Sequence, residues 1–341
     1  MGRSLAASVP AVPTMRAGRM VDYGRMECEE ASIPTIGPGE VLVRSEMASI
    51  CGSDLHIVDA GAGLPVAPPM PHGFPGHEGI GEVVESNDPG IEVGSQVLCF
   101  PNTAVGECFS EYQKLGGRYC LTLPPSELPR PHLLMAQQLG TVIYARRTHH
   151  RDVAGETVVV LGQGSAGLFF TFLLSRAGAE RIIVADLCEH RLAVARAYGA
   201  DVTIDASSTD VRSAVLDLTD GRGADYVIEA VGRRDTFLLT TDLVRLGGEL
   251  LWFGLPDTNE PISIDFSVFF RKKLRAATTY GAQDEPDARS FRMAMAMIAR
   301  GQIDVSPLLS HVHPVEEIGE AFSHARAPLD CGALKVSVAF S

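Results

Sequence analysis

Apolar residues change their spacing about half-way along the chain. In the first part, short runs of β-branched and other apolar side chains alternate with glycine and proline. Examples are residues 40–44 (EVLVR), 81–84 (GEVV) and 95–100 (SQVLCF). Short apolar runs bounded by turn residues are typical of strands joined by tight turns. The pattern therefore predicts an irregular, β-rich domain up to about residue 145.

From residue 156 onward, short apolar strands alternate with helical segments. Strands are predicted at 157–161 (TVVVL), 181–185 (RIIVA), 226–229 and 249–253, with helices from the glycine-rich turn to about residue 177 and over 189–198. This alternation is the pattern of a parallel, doubly wound sheet. A helix over 288–300 and a strand over 334–340 (LKVSVAF) follow. The β-rich part can therefore be built from both chain ends, with the α/β unit inserted.

Composition and charge exclude several classes of protein. The 42 acidic and 29 basic side chains give a net charge of −13, whereas phosphate-binding surfaces need basic patches. No apolar run in the sequence reaches the length of about 18 residues that suggests a membrane span. We therefore expect no nucleic-acid partner and no membrane partner.

Cysteine usage and the N-terminus bear on location. The seven cysteines are widely spaced and contain no CxxC, which favours a reducing cytoplasm over a disulfide framework. Pro10 and Pro13 interrupt the apolar run at the N-terminus, so no signal peptide is predicted. Residues 1–14 are expected to be a disordered lead-in, with the first strand starting near Met15.

A glycine-rich motif lies between the first strand of the α/β unit and its helix. Residues 161–167 (LGQGSAG) contain GxGxxG, and Asp186 ends the next predicted strand. In the dinucleotide-binding fingerprint, Gly162 permits a tight turn, Gly164 lets the backbone approach the pyrophosphate and Gly167 allows close packing of helix on strand. The helix N-terminus offers free N–H groups to the phosphates. The residues predicted to bind the cofactor through this loop are Gly162, Gly164, Ser165, Ala166 and Gly167.

Asp186 bears on the choice of cofactor. A carboxylate accepts hydrogen bonds from ribose hydroxyls and repels a 2′-phosphate, which favours NAD over NADP. Arg191 leaves binding of NADP open, because a nearby arginine can receive the 2′-phosphate. The alternative, an ordinary glycine turn before a packed helix, is disfavoured because the strand, the helix and Asp186 are all in place.

Three further segments carry candidate catalytic chemistry: 50–56 (ICGSDLH), 75–81 (PGHEGIG) and 137–141 (QQLGT). Cys51 and His77 offer a thiolate and an imidazole, which are good zinc ligands, and Glu78 could coordinate or hold a metal-bound water. Zinc lowers the pKa of a bound hydroxyl, so that an alkoxide forms near neutral pH and can release hydride.

Ser53 and His56 share the short segment of Cys51, and a hydroxyl and an imidazole are suitable relays for the alkoxide proton. Taken singly, these signals are weak, because a lone cysteine is usually a core residue and a lone GHE is more often a coincidence. No role is predicted for His311 or His313.

Together and in order, these motifs resemble the medium-chain dehydrogenase/reductase family, in its zinc-dependent alcohol, sorbitol and threonine dehydrogenase branch. CGSDLH, PGHEGIGEV and LGQGSAG match three of its motifs, and the glycines of EAVG and LGGELLWFG match later ones. The similarity extends over nearly the whole chain from Met15. It implies an α/β fold in which a Rossmann domain, residues 148–282, is inserted in a GroES-like β-rich catalytic domain, residues 1–147 and 283–341.

The resemblance also implies roles. Cys51 and His77 would be zinc ligands, and Glu78 would be a ligand or hold a water. Ser53 and His56 would form a relay through the nicotinamide ribose, and Thr141 would touch the nicotinamide ring. The implied reaction is NAD-linked oxidation of a secondary alcohol, such as a polyol or cyclitol, by a homodimer or homotetramer.

Two departures from the family change these expectations. The family's four-cysteine lobe is missing, because residues 100–112 contain only Cys108, so one catalytic zinc and no structural zinc are expected. Where the family has a cysteine or glutamate as third ligand, this chain has Gln137, a weaker neutral donor. We therefore expect Glu78 to complete the shell, with Gln137 as a weak ligand or lining the pocket.

Two alternatives stay open at this point. One is a zinc-free reductase of the same superfamily, acting on a quinone or an activated double bond. The other is a non-catalytic NAD-binding sensor.

Overall fold

The computed structural model describes residues 13–340. Its strands are β1 Thr14–Asp22, β2 Arg25–Ser32, β3 Glu40–Ser49, β4 Gly79–Ser86, β5 Gln96–Cys99, β6 Tyr112–Gly116, β7 Cys120–Thr122, β8 Thr157–Leu161, β9 Arg181–Asp186, β10 Val202–Asp205, β11 Ala224–Glu229, β12 Val244–Trp252, β13 Arg275–Thr278, β14 Leu309–Pro314 and β15 Lys335–Ala339.

Its α-helices are α1 Gly52–Ala60, α2 Arg130–Leu134, α3 Ala136–Thr148, α4 Ser165–Arg176, α5 Glu189–Ala197, α6 Val211–Leu218, α7 Arg234–Leu243, α8 Phe266–Arg271, α9 Arg289–Ala299, α10 Ile318–Arg326 and α11 Pro328–Cys331. No helix in this part of the chain is long and apolar enough to cross a bilayer.

The later half of the chain forms a six-stranded sheet in the order β10-β9-β8-β11-β12-β13. All of its strand pairs are parallel. Every residue of β8 is buried, as expected for a central strand covered on both faces. The strand order reverses between β8 and β11, and open α/β sheets bind ligands at the carboxyl ends of their strands at such a point. The predicted doubly wound fold is confirmed.

Strands β1 and β2 form a two-stranded sheet by themselves. The third sheet draws on both chain ends, as predicted. It has the order β14-β15-β3-β4-β5-β7, and β6 also pairs with β3. The last strand of the chain, β15, pairs antiparallel with β3 and parallel with β14. Residues near the C-terminus are thereby brought beside the segments that follow β3 and precede β4.

The structure differs from the predicted elements at particular places. Residues 1–12 of the predicted lead-in lie outside the described residues, while Thr14 already belongs to β1 because it pairs with Ser32 of β2. The segment after Cys51 is a helix, α1, which ends at Gly61 in the left-handed region at φ 65°. The sequence pattern missed this helix because its apolar residues follow no clear helical stripe.

Candidate active site

Cys51 stands where β3 gives way to α1. It is the N-cap residue of the helix, and its backbone N–H donates to Asp54 Oδ2 at 2.8 Å. Asp54 is fully buried, although it lies in the first turn of the helix. The helix start therefore fixes the thiol of Cys51 and the carboxylate of Asp54 on the same short stretch of backbone.

His77 enters the site from the segment before β4. Its ring is buried, and Nδ1 lies 3.0 Å from Asp54 Oδ1. A carboxylate at one ring nitrogen fixes the ring orientation and leaves the other nitrogen for a metal. Burial disfavours the charged imidazole, but Asp54 and the Cys51 thiol outweigh burial and raise the pKa of His77 well above its ordinary value. The surroundings of the His77 ring therefore favour positive charge.

Glu78 is completely buried and is held by Lys335 of β15. The Lys335 Nζ atom lies 2.6 Å from Glu78 Oε2, and the Ser49 hydroxyl donates to the same oxygen. Burial works against both charges. The ion pair nevertheless lowers the pKa of Glu78 and raises that of Lys335. Glu78 Oε1 has no hydrogen-bond partner among the described residues.

These side chains fit a zinc ion. One donor atom each from Cys51, His77 and Glu78 lies within 4.8 Å of the others. A thiolate, an imidazole and a carboxylate are the donors that zinc prefers, and catalytic zinc sites have three protein ligands and one open position. The unpartnered Glu78 Oε1 would gain from a cation, because a buried oxygen without a partner costs about 1–3 kcal/mol.

The amide beside Cys51 belongs to Gln138, and not to Gln137 as the sequence analysis expected. Gln138 Oε1 lies 3.5 Å from Cys51 Sγ and 3.5 Å from the Ser165 hydroxyl. Successive residues of a helix differ in direction by about 100°, so α3 turns only one of the two amides toward the thiol. Both glutamines line the cavity, which is one of the two roles expected for Gln137.

The predicted relay residues, Ser53 and His56, lie on α1 and line the same cavity as Cys51. His56 Nδ1 is 2.7 Å from the carbonyl oxygen of Leu255, so Nδ1 carries the proton and Nε2 is an acceptor. Gly232 passes close by, in the left-handed region at φ 89°, and a Cβ there would lie 2.7 Å from His56 Cε1. Helix α1 therefore meets the loop after β12 at His56.

The glycine-rich loop has the shape that the motif predicts. Gly162 has φ 86°, and a Cβ on Gly167 would lie 1.8 Å from the Gly162 carbonyl oxygen, so only glycine fits there. Asp186 accepts the backbone N–H groups of Gln163 at 2.6 Å and Cys188 at 2.9 Å. The carboxylate at the end of β9 is thus tied directly to the loop.

One cavity of about 790 Å³ joins most of these groups. Its lining includes the predicted residues Cys51, Ser53, His56, His77, Thr141, Gly164, Ser165 and Ala166. Glu78, Gly162, Gly167, Asp186 and Arg191 lie outside the lining. Arg191 Nη1 is 4.0 Å from Asp186 Oδ2, and Nη2 donates to the Ala333 carbonyl at 3.1 Å.

Three groups at this site had no role predicted from the sequence. Asp54 lies inside the CGSDLH motif, and its spacing from Cys51 was a usable signal. Lys335 is the one charged residue in the apolar run LKVSVAF, which also marks it as unusual. The sequence offered no signal that separates Gln138 from Gln137.

Comparison with known proteins agrees with this arrangement. Residues 37–124 match the family model for the alcohol dehydrogenase GroES-like domain, and residues 166–299 match that for zinc-binding dehydrogenases. The chain belongs to the zinc-dependent medium-chain dehydrogenase/reductase family. It is an alcohol dehydrogenase-type enzyme, and its family uses zinc and a nicotinamide dinucleotide.

Other members of this family align with this chain over almost their full length. An alcohol dehydrogenase of Cupriavidus necator is 29% identical, with 95% of this chain and 98% of that protein covered. The L-threonine 3-dehydrogenase of Pyrococcus furiosus is 28% identical, with 90% and 93% covered. A solved zinc-binding dehydrogenase of Sinorhizobium meliloti, bound to NADP, superposes with a TM-score of 0.79 at 25% identity and covers 96% of this chain and 99% of its own.

We predict that Asp54→Asn weakens zinc binding by about 10- to 100-fold, because the carboxylate behind a metal-binding histidine orients the ring and raises its basicity. Zinc affinity is measured by titration of the metal-stripped protein. Asp59→Asn is the matched control, since Asp59 is exposed on the same helix and pairs with Arg326. Equal zinc affinity in the Asp54 variant and the wild type would contradict the assigned role of Asp54.

Proposed function

We propose that the protein interconverts a neutral, largely apolar secondary alcohol and its ketone, with NAD as the hydride carrier and a zinc ion held by Cys51, His77 and Glu78. The observation that carries the substrate class is the lining of the cavity. Within residues 13–340 that lining contains no aspartate, glutamate, lysine or arginine.

A charged substrate would find no side chain of opposite charge in the lining of such a cavity. Leaving a charge unpaired in an apolar environment costs several kcal/mol. L-Threonine carries an ammonium and a carboxylate, and a sugar phosphate carries a phosphate, so each needs at least one side chain of opposite charge. The related L-threonine 3-dehydrogenases therefore do not serve as the guide to substrate here, despite their similarity to this chain.

The apolar side chains favour a substrate with an alkyl or alicyclic body. They come from α1 and the segment after it, from the segment before His77 and from the loop after β12. Among them are Ile57, Leu64, Val66, Met70, Phe74 and Ile262. A polyol or cyclitol belongs to the same neutral class, but its additional hydroxyls would have fewer partners here.

The chemistry divides between the metal and the chain. A zinc ion held by Cys51, His77 and Glu78 would act as a Lewis acid and make the hydroxyl of the alcohol more acidic. The side chain of Ser53 can take up the proton of the alcohol and pass it on, and His56 can receive it because Nδ1 already donates to Leu255. The cavity lining contains no carboxylate that could take the proton instead, so these two residues are the proposed route by which it leaves.

Asp186 supports NAD as the cofactor. Its side chain is buried and accepts two backbone N–H groups, which hold the carboxyl group at the end of β9, where the adenine ribose is expected to bind. A 2′-phosphate would be repelled there. Arg191, the residue that could receive that phosphate, already donates to the carbonyl of Ala333.

The substrate class is tested with a panel of alcohols and NAD, followed by absorbance at the NADH band. We expect apolar secondary alcohols such as cyclohexanol and 2-octanol to be oxidised. The kcat/KM for L-threonine or galactitol 1-phosphate should be at least about a hundredfold lower, since their charges would stay unpaired. A preference for either charged substrate would refute the substrate class, and full activity in metal-free protein would refute the zinc mechanism.

Asp186→Ser should weaken NADH binding by about 1–3 kcal/mol, the loss of a charge-assisted hydrogen bond to the ribose. The same change should narrow the preference for NADH over NADPH. Both affinities follow from nucleotide fluorescence. Glu189→Gln, an exposed change on α5, is the control. Tighter binding of NADPH than NADH by the wild type would contradict the prediction.

Ser53→Ala and His56→Ala should each lower kcat for alcohol oxidation by about 10²- to 10⁴-fold, the usual loss for a general base. Zinc content and NADH affinity should stay at the wild-type level, since neither residue is a proposed ligand. His132→Ala, on α2 and outside the cavity lining, is the control. Unchanged rates and pH profiles in both relay variants would remove the relay.

Gln138→Glu should tighten zinc, because it places an anionic oxygen beside Cys51, and Glu78→Gln should weaken it. Gln137→Glu is the matched control from the next position of α3 and should have the smaller effect. Titration of the metal-stripped variants gives the three affinities. Zinc binding by the Glu78 variant as tight as in the wild type would exclude direct coordination by Glu78.

A further inference from the structure

A second group of metal-binding side chains lies apart from the cavity, between β14 and α10. His313 of β14 and Glu320 and His324 of α10 each offer one donor atom, and these atoms lie within 4.8 Å of one another. None of the three residues lines the cavity. We propose that this group is a second binding site for a divalent transition-metal ion, with Zn²⁺ as the natural occupant.

Two regular elements hold these side chains in place. Alternate residues of a strand share one face, so His311 and His313 project together from β14. Residues four apart on a helix also share a face, which pairs Glu320 with His324 on α10. Because α10 packs against β14, the strand and helix donors converge. His313 Nε2 lies 2.9 Å from His324 Nδ1, and the rings of His311 and His324 have their centres 5.5 Å apart.

Three imidazoles crowded together are suited to a metal ion. The contact between His313 Nε2 and His324 Nδ1 needs one proton shared by two nitrogens, and a divalent ion can take the place of that proton. His311 Nδ1 is buried without a hydrogen-bond partner among the described residues. A further imidazole with an unpartnered nitrogen therefore adjoins the group.

A carboxylate already orients one of the proposed ligands. Glu317 Oε2 lies 3.3 Å from His313 Nδ1, which turns Nε2 of the same ring toward His324. This is the arrangement of an outer carboxylate behind a metal-binding histidine. It parallels Asp54 behind His77 at the active site.

The donor set selects the kind of ion. Imidazole nitrogens suit zinc and its neighbours in the first transition series, whereas magnesium and calcium prefer sites built of oxygen alone. His313 is buried, but the side chains of His324 and Glu320 are 34% and 59% exposed. An ion can therefore enter from solvent, and water can complete its shell.

An ion here would brace the strand next to the active site. It would bind α10 to β14, which pairs with β15, and the Ser310 hydroxyl donates to the carbonyl of Lys335 at 3.1 Å. Lys335 in turn holds Glu78. The sequence analysis expected one zinc per chain, and this proposal raises the capacity to two without the cysteine lobe of the family.

The test is titration of the metal-stripped full chain with Co²⁺, followed by visible absorption and by metal content after gel filtration. The wild type should bind two ions per chain, and only the one at Cys51 should give a thiolate-to-metal charge-transfer band. His324→Ala and His313→Ala should each bind one ion and keep that band. The double variant Cys51→Ser, His77→Ala should bind one ion without it. His150→Ala, an exposed histidine outside both groups, should bind two.

Glu320→Gln makes the test independent of any folding defect, since this side chain is mostly exposed; it should weaken the second ion at least tenfold. In the Cys51→Ser, His77→Ala background, Zn²⁺ should raise the melting temperature, and His324→Ala should remove that rise. A wild type that binds one ion, or a second ion unaffected by His313→Ala, His324→Ala and Glu320→Gln, would overturn the proposal. None of these readouts involves alcohol oxidation, so the proposed function is tested separately.

Discussion

The active site depends on two pairs of oppositely charged side chains that are buried together. Lys335 holds one oxygen of Glu78, and Asp54 holds one ring nitrogen of His77. All four side chains are buried. Removing one member of a buried ion pair leaves an uncompensated charge and costs about 3–5 kcal/mol. The positions of α1, of the segment before β4 and of β15 are therefore coupled to the electrostatics of the site.

This pairing explains how several charged side chains can adjoin a cavity whose described lining contains no aspartate, glutamate, lysine or arginine. The charged partners Lys335 and Asp54 stand behind the proposed ligands, outside the cavity lining. Glu78 and His77 are each held at one donor atom by such a partner, so the other donor atom is the one available to a metal. The space in front of the ligands is left to apolar side chains and to neutral hydrogen-bonding groups.

The second constraint is the close approach, beside the cavity, of loops from the seven-stranded sheet and loops from the six-stranded sheet. Gly232 has no side chain, and this allows α1 and the loop after β12 to meet at His56. Asn259 adds a second contact, because its side chain accepts the Gly63 N–H and donates to the Gly61 carbonyl. Both contacts join the segment after Cys51 to the nucleotide-binding part of the chain, so the relay residues and the cofactor loop share one cavity.

The sequence by itself determined the features that are local along the chain. The alternation of strands and helices predicted the doubly wound sheet, and GxGxxG predicted the loop at Gly162. Both follow from a repeat of two or 3.6 residues, or from residues only a few positions apart. The grouping of Cys51, His77 and Glu78 joins two separate segments, and it was implied by the resemblance of the ordered motifs to a known family.

Only the tertiary structure decided which distant groups support these residues. The rotation of α3 puts Gln138, and not Gln137, beside Cys51. The pairing of β15 with β3 delivers Lys335 to Glu78, and the packing of α10 on β14 brings together histidines that had no visible role. Helix rotation and strand pairing are set by the packing of the whole core, and residue type and spacing along the chain do not specify them.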